Sequence, residues 1–234
     1  MLLRLEALSL PADYLFLDDN SPDGTGPILD ALAAAYPHLR IVHRERRLGI
    51  GTAHQAAIAY AYAHGYGSLI TLDCDFTQPP EYIPLLLAAS PDVALITGSR
   101  STAQGGLKDW PLHRILLTRF AHLMTRCLLG LPFDATNSFR LYRLPLIPAH
   151  LFLLVKSTGY SFFFESLFTL YRNGVSVQEI PIVLENRSTG TSKMKASDLF
   201  TALHTLLRLS WRRLSGMGAP RRPGAAGMRR NPRP

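Results

Sequence analysis

The stretch Ser68-Leu69-Ile70-Thr71-Leu72-Asp73-Cys74-Asp75 decides how this chain is read. An apolar run suited to a buried strand meets two carboxylates at positions i and i+2, and Pro79-Pro80 ends the pattern. Alternation along an extended chain turns Asp73 and Asp75 to one side and Cys74 into the opposite face of the sheet. Two carboxylates so placed are oxygen ligands for magnesium or manganese, cations that complete their shell with water and substrate phosphate. A solvated turn carries the same tripeptide often enough that the neighbouring segments must decide.

Outward from this stretch, strand and helix patterns alternate. Residues 14–17 read as a strand that runs into the turn-rich Asp18-Asp19-Asn20-Ser21-Pro22-Asp23-Gly24-Thr25. A helix over 27–36 and a strand over 39–43 follow. Leu48-Gly49-Ile50-Gly51 leads into an Ala-rich helix over 52–64, with His54 and His64 on its surface. After the central stretch come a Pro-initiated helix near 81–89 and a strand over 93–97. This order predicts an α/β fold with a mostly parallel sheet covered on both faces. Ligands of such sheets lie beyond the carboxyl ends of the strands, where Asp18, Asp73 and Asp75 all fall. The second half predicts a long helix over 110–129 with Arg114 and Arg119, and a strand over 138–143. A further helix over 160–172 carries one acid, Glu165, and 175–184 is extended. No internal repeat is present.

A chain of 234 residues, 47% hydrophobic, is long enough for one well-buried core. No apolar run reaches the roughly 18 residues that span a bilayer. Two cysteines, Cys74 and Cys127, make no disulfide framework and read as reduced thiols of a cytosolic protein. The formal charge of +8 is matched by the eight arginines from Arg208 to Arg233, a segment without a single acid. The basic character belongs to a tail rather than to the body, which argues against a specific nucleic-acid-binding core. Residues 197–215 read as an amphipathic helix through Leu199, Phe200, Leu203, Leu206, Leu207, Trp211 and Leu214. That helix packs on the core or lies on a membrane surface. The Gly-, Pro- and Arg-rich residues 216–234 predict a disordered basic tail.

Eight motifs carry a family resemblance. They are the Asp18–Thr25 loop, Leu48-Gly49-Ile50-Gly51-Thr52-Ala53, Asp73-Cys74-Asp75-Phe76-Thr77-Gln78-Pro79-Pro80, and Gly98-Ser99-Arg100. Gly105-Gly106 with Trp110, residues 138–143, Gly159-Tyr160 with Glu165, and residues 187–193 complete the set. In this order they resemble the dolichyl-phosphate (polyprenyl-phosphate) mannose synthases of the inverting glycosyltransferase family 2, over most of the chain from residue 14 to 194. The resemblance implies a GT-A (Rossmann-like) glycosyltransferase fold in residues 1–196. Members of that family begin with a strand ending in a Pro-Thr-Tyr-Asn-Glu-type motif, and residues 1–10 instead resemble the back half of the helix that follows it. The expectation is an N-terminally truncated fold lacking its first strand, as a misplaced start codon would produce, with unpaired backbone groups in the core.

The resemblance further implies transfer of mannose from GDP-mannose to a polyprenyl phosphate, at the cytoplasmic face of a membrane, with Mg2+ or Mn2+. A membrane-anchoring partner subunit is compatible with it. Asp73 and Asp75 would hold the metal, with Asp75 and Arg100 catalytic. Phe16, Asp18, Asp73, Cys74, Asp75, Arg100, Arg187 and Lys193 would bind the donor. Asp19 would fix its loop as an Asx-type turn. Thr77 stands where some relatives carry Gln as a further ligand. Arg114, Arg119 and Arg140 are candidates for the acceptor phosphate, since the planar fork of Arg suits that group. The segment 187–193, with Gly190 as its hinge, would close over the donor. Glu165 is a structural partner of an Arg or orients one in the site. Two other readings remain at this stage: a UDP-sugar transferase acting on a bacterial lipid phosphate, and a non-catalytic membrane-surface module.

Overall fold

In a computed structural model of the chain, which describes residues 1–186 and 196–216, a sheet core is covered by helices on both faces. A short helix α1 (Leu2–Glu6) precedes β1 (Tyr14–Asp18), α2 (Thr25–Ala35) and β2 (Leu39–His43). β1 and β2 pair in parallel, from Tyr14 opposite Leu39 to Asp18 opposite His43. α3 (Ile50–Ala63), β3 (Ser68–Thr71), α4 (Ile83–Leu87) and β4 (Leu95–Ser99) continue the alternation. β5 (Gly106–Lys108) and α5 (Leu112–Met124) follow, the helix running on into a π-helical segment, Thr125–Leu129. Then come β6 (Arg140–Arg143), α6 (Ser161–Arg172), β7 (Val177–Pro181), β8 (Val183–Glu185) and α7 (Ala196–Leu214).

The central sheet has the order β3-β6-β4-β7. β3, β4 and β7 run one way, and β6 lies antiparallel between β3 and β4. β5 and β8 form a small parallel pair. Neighbouring residues of one strand face opposite layers, as the pleat demands. Leu95 and Tyr142 join the core under α3, α6 and α7, whereas Ile96 and Leu141 join the one under α1 and α4. α6 is buried on every side from Ser161 to Leu170, its phenylalanines and leucines filling the larger core.

The expected α/β architecture is found, with local differences. β3 stops at Thr71, two residues short of Asp73, because the following residues turn to bring Gln78 back to the backbone of Asp73. β5 carries no strand pattern of its own; three residues become a strand only through their pairing with β8. The extended run near 175–184 divides where β7 ends at Pro181, a residue with no N–H for a continued ladder. Among the described residues no strand pairs with the second edge of β1 or of β3. The expected tail beyond Gly216 lies outside the described residues, as does the whole of the expected lid at 187–193.

Candidate active site

The Asp73–Asp75 segment is a tight turn rather than a continuation of the strand, so the alternation argument for its geometry fails. Cys74 accordingly is exposed and not tucked under the sheet. The turn is anchored from both sides. The Thr71 hydroxyl donates to the Ser138 carbonyl at 2.7 Å, and the Asp73 N–H donates to Gln78 Oε1 at 2.9 Å. Asp73 Oδ2 accepts from Ser138 Oγ at 3.1 Å and Gln78 Nε2 at 3.4 Å. Gln78, buried, also reaches Asn137 Oδ1 at 3.3 Å. Asp75 Oδ1 accepts from the Thr77 N–H at 3.1 Å and from the Thr77 hydroxyl. Phe76 takes a left-handed backbone (φ 61°), unusual for a bulky residue and sustained by these bonds on either side.

Among the described residues no group of three or more His, Cys, Asp or Glu side chains could hold a metal ion alone. Two carboxylates on one anchored turn fit instead a hard cation that takes its remaining ligands from water and a diphosphate. Thr77 bonds to Asp75, and it is Gln78, not singled out from the sequence, that braces Asp73.

Asn137 links this turn to the end of β4, donating from Nδ2 to the Gly98 carbonyl at 2.7 Å. Two residues on, Arg100 is locked by Asp134, a residue sequence reasoning missed. Nε donates to Asp134 Oδ2 at 2.8 Å, Nη2 to Oδ1 at 2.6 Å and to Thr136 Oγ1 at 2.5 Å. The Arg100 backbone N–H adds a third bond to the same carboxylate at 3.1 Å. Burial alone would raise Asp134; the Arg100 guanidinium overrides it and holds the carboxyl at about 2. Arg100 is therefore a fixed, always-charged group with little freedom to move.

Asp18 ends β1 at an open cavity of about 280 Å³ that Asn20, Ser21, Asp30, His43 and Arg44 also line. Its Oδ1 accepts the Ser21 N–H at 3.2 Å, and Oδ2 lies 3.4 Å from His43 Nδ1. These bonds, Ser21 first, keep the carboxyl below the usual range. His43 bridges Asp30 and Asp18, which together raise its pKa, Asp30 contributing more. The Asx-type bonds of this loop come from Asp18 and Asp23, not Asp19. Asp19 pairs with Arg44 instead, and Arg44 donates to Thr52 Oγ1 at 2.8 Å. Phe16 sits half-buried on β1, two residues before Asp18 and on the same side of the strand.

The family model described as "Glycosyl transferase family 2" matches residues 4–150. The chain belongs to that family. It is 35% identical over 192 residues to the polyprenol monophosphomannose synthase of Mycolicibacterium smegmatis, covering 81% of this chain and 72% of that protein. It is 34% identical over 206 residues to the undecaprenyl-phosphate mannosyltransferase of Micrococcus luteus, covering 88% and 85%. Among solved structures, glucosyl-3-phosphoglycerate synthase of Mycobacterium tuberculosis, determined with Mg2+ and UDP, shares the fold. Its TM-score is 0.50 at 19% identity, over 87% of this chain and 68% of that one. The fold is thus the GT-A fold of these glycosyltransferases.

The remaining candidates of this family 2 glycosyltransferase scatter. Arg140 is fully buried, donating to Ser166 Oγ and the Ala135 and Phe163 carbonyls. A lipid phosphate has no route to it, and it leaves the acceptor set. Arg114 stacks on Trp110, 4.4 Å from the ring centroid, and Arg119 is exposed on α5. Arg187 and Lys193 lie outside the described residues. Glu165 is fully buried and structural, taking bonds of 2.8 Å from the Ser157 N–H and from Arg208 of α7. His54, expected on a helix surface, is buried between Phe162 and Phe163, and burial pushes its pKa down to about 3. His64 is exposed, as expected.

Proposed function

We propose that this chain transfers mannose from GDP-mannose to the phosphate of a polyprenyl lipid in a single inverting displacement. The observation that carries the reading is the anchored turn on which Asp73 and Asp75 stand at the carboxyl end of β3. Asp73 and Asp75 would hold Mg2+ or Mn2+, which when bound neutralises the diphosphate leaving group. Ser138 and Gln78 keep the Asp73 carboxylate aimed before substrate arrives, so little reorganisation is needed during reaction. Asp18, short of protons at neutral pH, offers a carboxylate acceptor to the N–H edge of the donor base in the cavity it lines.

The acceptor phosphate is already an anion near neutral pH, so its oxygen attacks the sugar C1 without a general base. The C1–O bond to the β-phosphate breaks, and GDP leaves with that electron pair. Arg100, held by Asp134, supplies fixed positive charge beside the turn. Arg119 and Arg114 on α5, with Arg187 and Lys193 by the family resemblance, are the cations for the two phosphate-bearing substrates. The relatives named above as mannosyl transferases to polyprenyl and undecaprenyl phosphate support the substrate pair.

The test is transfer of labelled mannose from GDP-mannose to a short polyprenyl phosphate with magnesium or manganese. Asp73→Asn should lower the rate by about 100-fold or more, the scale of losing one preorganised electrostatic group. Transfer from UDP-glucose but not GDP-mannose, or full activity in Asp73→Asn, would overturn the reading.

A further inference from the structure

Asp18 and His43 are register partners at the ends of the parallel strands β1 and β2, so the pleat sets their side chains on one face. α2 packs on β2 and brings Asp30 to the far side of the imidazole. Both ring nitrogens of His43 therefore meet a carboxylate. Nε2 lies 2.8 Å from Asp30 Oδ1, and Nδ1 lies 3.4 Å from Asp18 Oδ2. Gly26, in the first turn of α2, leaves the room this needs, since a Cβ there would stand 3.2 Å from Asp18 Oδ2 and 3.6 Å from His43 Cε1. The three polar groups line the open cavity at the end of β1, with Arg44 beside them.

A neutral imidazole has one N–H and one lone pair, so it satisfies only one of two carboxylates. The proton stays on the shorter contact, to Asp30, and the lone pair of Nδ1 is then left facing Asp18 Oδ2. Only the cation donates to both. The charges around the cavity point the same way. Arg44 is committed to Asp19, and Asp23, which faces Asp18 from the same loop, bonds to Thr25. Among the described residues that line the cavity, this leaves Asp18 and Asp30 as two negative charges with His43 between them. A diphosphate brings further negative charge to this rim and is repelled unless the ring is charged. The Asp18 side chain is 4% exposed and that of His43 44%, so the imidazole is the outer group and its place governs how Oδ2 is presented.

We propose that His43, braced by Asp30, positions the Asp18 carboxylate for the donor base and supplies the positive charge that balances this cavity when a nucleoside diphosphate enters. The inference rests on the reading of Asp18 as the acceptor for that base. With the ring a cation, Oδ2 is drawn to Nδ1 while the Ser21 N–H holds Oδ1, so the carboxylate is fixed at both oxygens. Without the charge Oδ2 is repelled, and the carboxylate pivots about its bond to Ser21. Asp30 first, then Asp18, raise the His43 pKa above the ordinary 6.5, against its partial burial. A raised value means that the cation is present at neutral pH and is lost as pH climbs through the His43 midpoint. Donor affinity falls with it, whereas the displacement that follows binding does not use the ring.

The experiment is calorimetric titration of GDP-mannose with magnesium into the full chain, without acceptor, at steps from pH 6 to pH 8.5. A diphosphate esterified at both ends does not itself titrate in this range. Wild type should bind about fivefold more weakly at the top of the range than at the bottom, the scale of one part-exposed charge pair. His43→Phe should bind weakly at every pH, with a flat profile. His43→Asn, whose amide still donates to Asp18 without a charge, should be flat at an intermediate affinity. Asp30→Asn, at an exposed site on α2, should keep the profile and move its midpoint to lower pH, a shift that lost packing would not produce. In steady-state transfer the pH effect and the His43→Phe loss should appear in the donor KM, with kcat at saturating donor kept. Circular dichroism checks the fold of each variant. UDP-glucose is titrated alongside. If it binds in place of GDP-mannose with the same pH profile, the choice of donor base falls and the role of His43 stands. Wild-type affinity and profile in His43→Phe, a loss confined to kcat, or an unmoved midpoint in Asp30→Asn would overturn the proposal. So would binding of neither donor at any pH.

Discussion

Replacing Asp134 by Ala removes the partner of a guanidinium that has almost nowhere else to go. Asp134 is 1% exposed and the Arg100 side chain 10%, and three hydrogen bonds from Arg100 end on this one carboxylate. Breaking a buried pair by deleting one member leaves the other charge uncompensated, a loss of about 3–5 kcal/mol. Part of that loss is visible as pH dependence. The folded carboxyl sits at about 2 against an ordinary 3.8, a gap worth roughly 2–3 kcal/mol. Because the folded pKa is depressed, this contribution is complete above pH 3.8 and disappears as pH falls through 2. Urea unfolding of wild type and Asp134→Ala at pH 7 and at steps down to pH 3 measures both. The variant should lose about 3–5 kcal/mol at pH 7, and the gap should narrow below pH 4. Mannose transfer, normalised to folded protein, should also fall, since Arg100 is no longer held. A loss under about 1 kcal/mol at pH 7, or a gap that stays constant to pH 3, would refute the view of Asp134 as the lock on Arg100.

His54→Leu should make the protein less sensitive to acid. His54, with its folded pKa pushed down to about 3, stays neutral while the unfolded chain takes up a proton below pH 6.5. Wild type should then lose about 1.4 kcal/mol per pH unit from this group between pH 6.5 and 4, and urea midpoints should show that slope vanish in the variant. Gly49→Ala should destabilise by about 2–4 kcal/mol in thermal or urea unfolding, since φ is +99° and the new Cβ would sit 2.5 Å from the Thr158 carbonyl oxygen. Arg208→Ala should cost about 2–3 kcal/mol, less than a sealed pair because over a third of the Arg208 side chain is in water. Limited proteolysis should then cut α7 first.

Much of the fold is legible in the sequence because apolar residues keep the period of their element. β1, β2 and α6 stand where turn signals and periodicity place them. What the sequence does not carry is the partner. β5 and β8 are three residues each and exist only as a pair. Asp134 and Asn137 belong to no local pattern; the segment that leads into β6 carries Asn137 to Gln78 of the turn and Asp134 to Arg100, contacts between residues far apart in the chain. Arg140 shows the same gap from the other side. A strand alternates, but which face is sealed depends on α6, which arrives from elsewhere in the chain. The helical period of α7 marks a stripe and is silent on what covers it, just as the Ala-rich α3 does not reveal the two phenylalanines that bury His54.

The second edges of β1 and β3 bear on how the protein behaves in concentrated solution. α3 touches both strands, so two short rows of peptide groups that have no strand partner among the described residues flank one helix. Such rows bind any extended polypeptide by main-chain bonds, whatever its side chains. Loss of material on concentration would then proceed by strand addition between folded molecules. Solubility is in this sense a property of a ladder left open on one side, separate from the strength of the core.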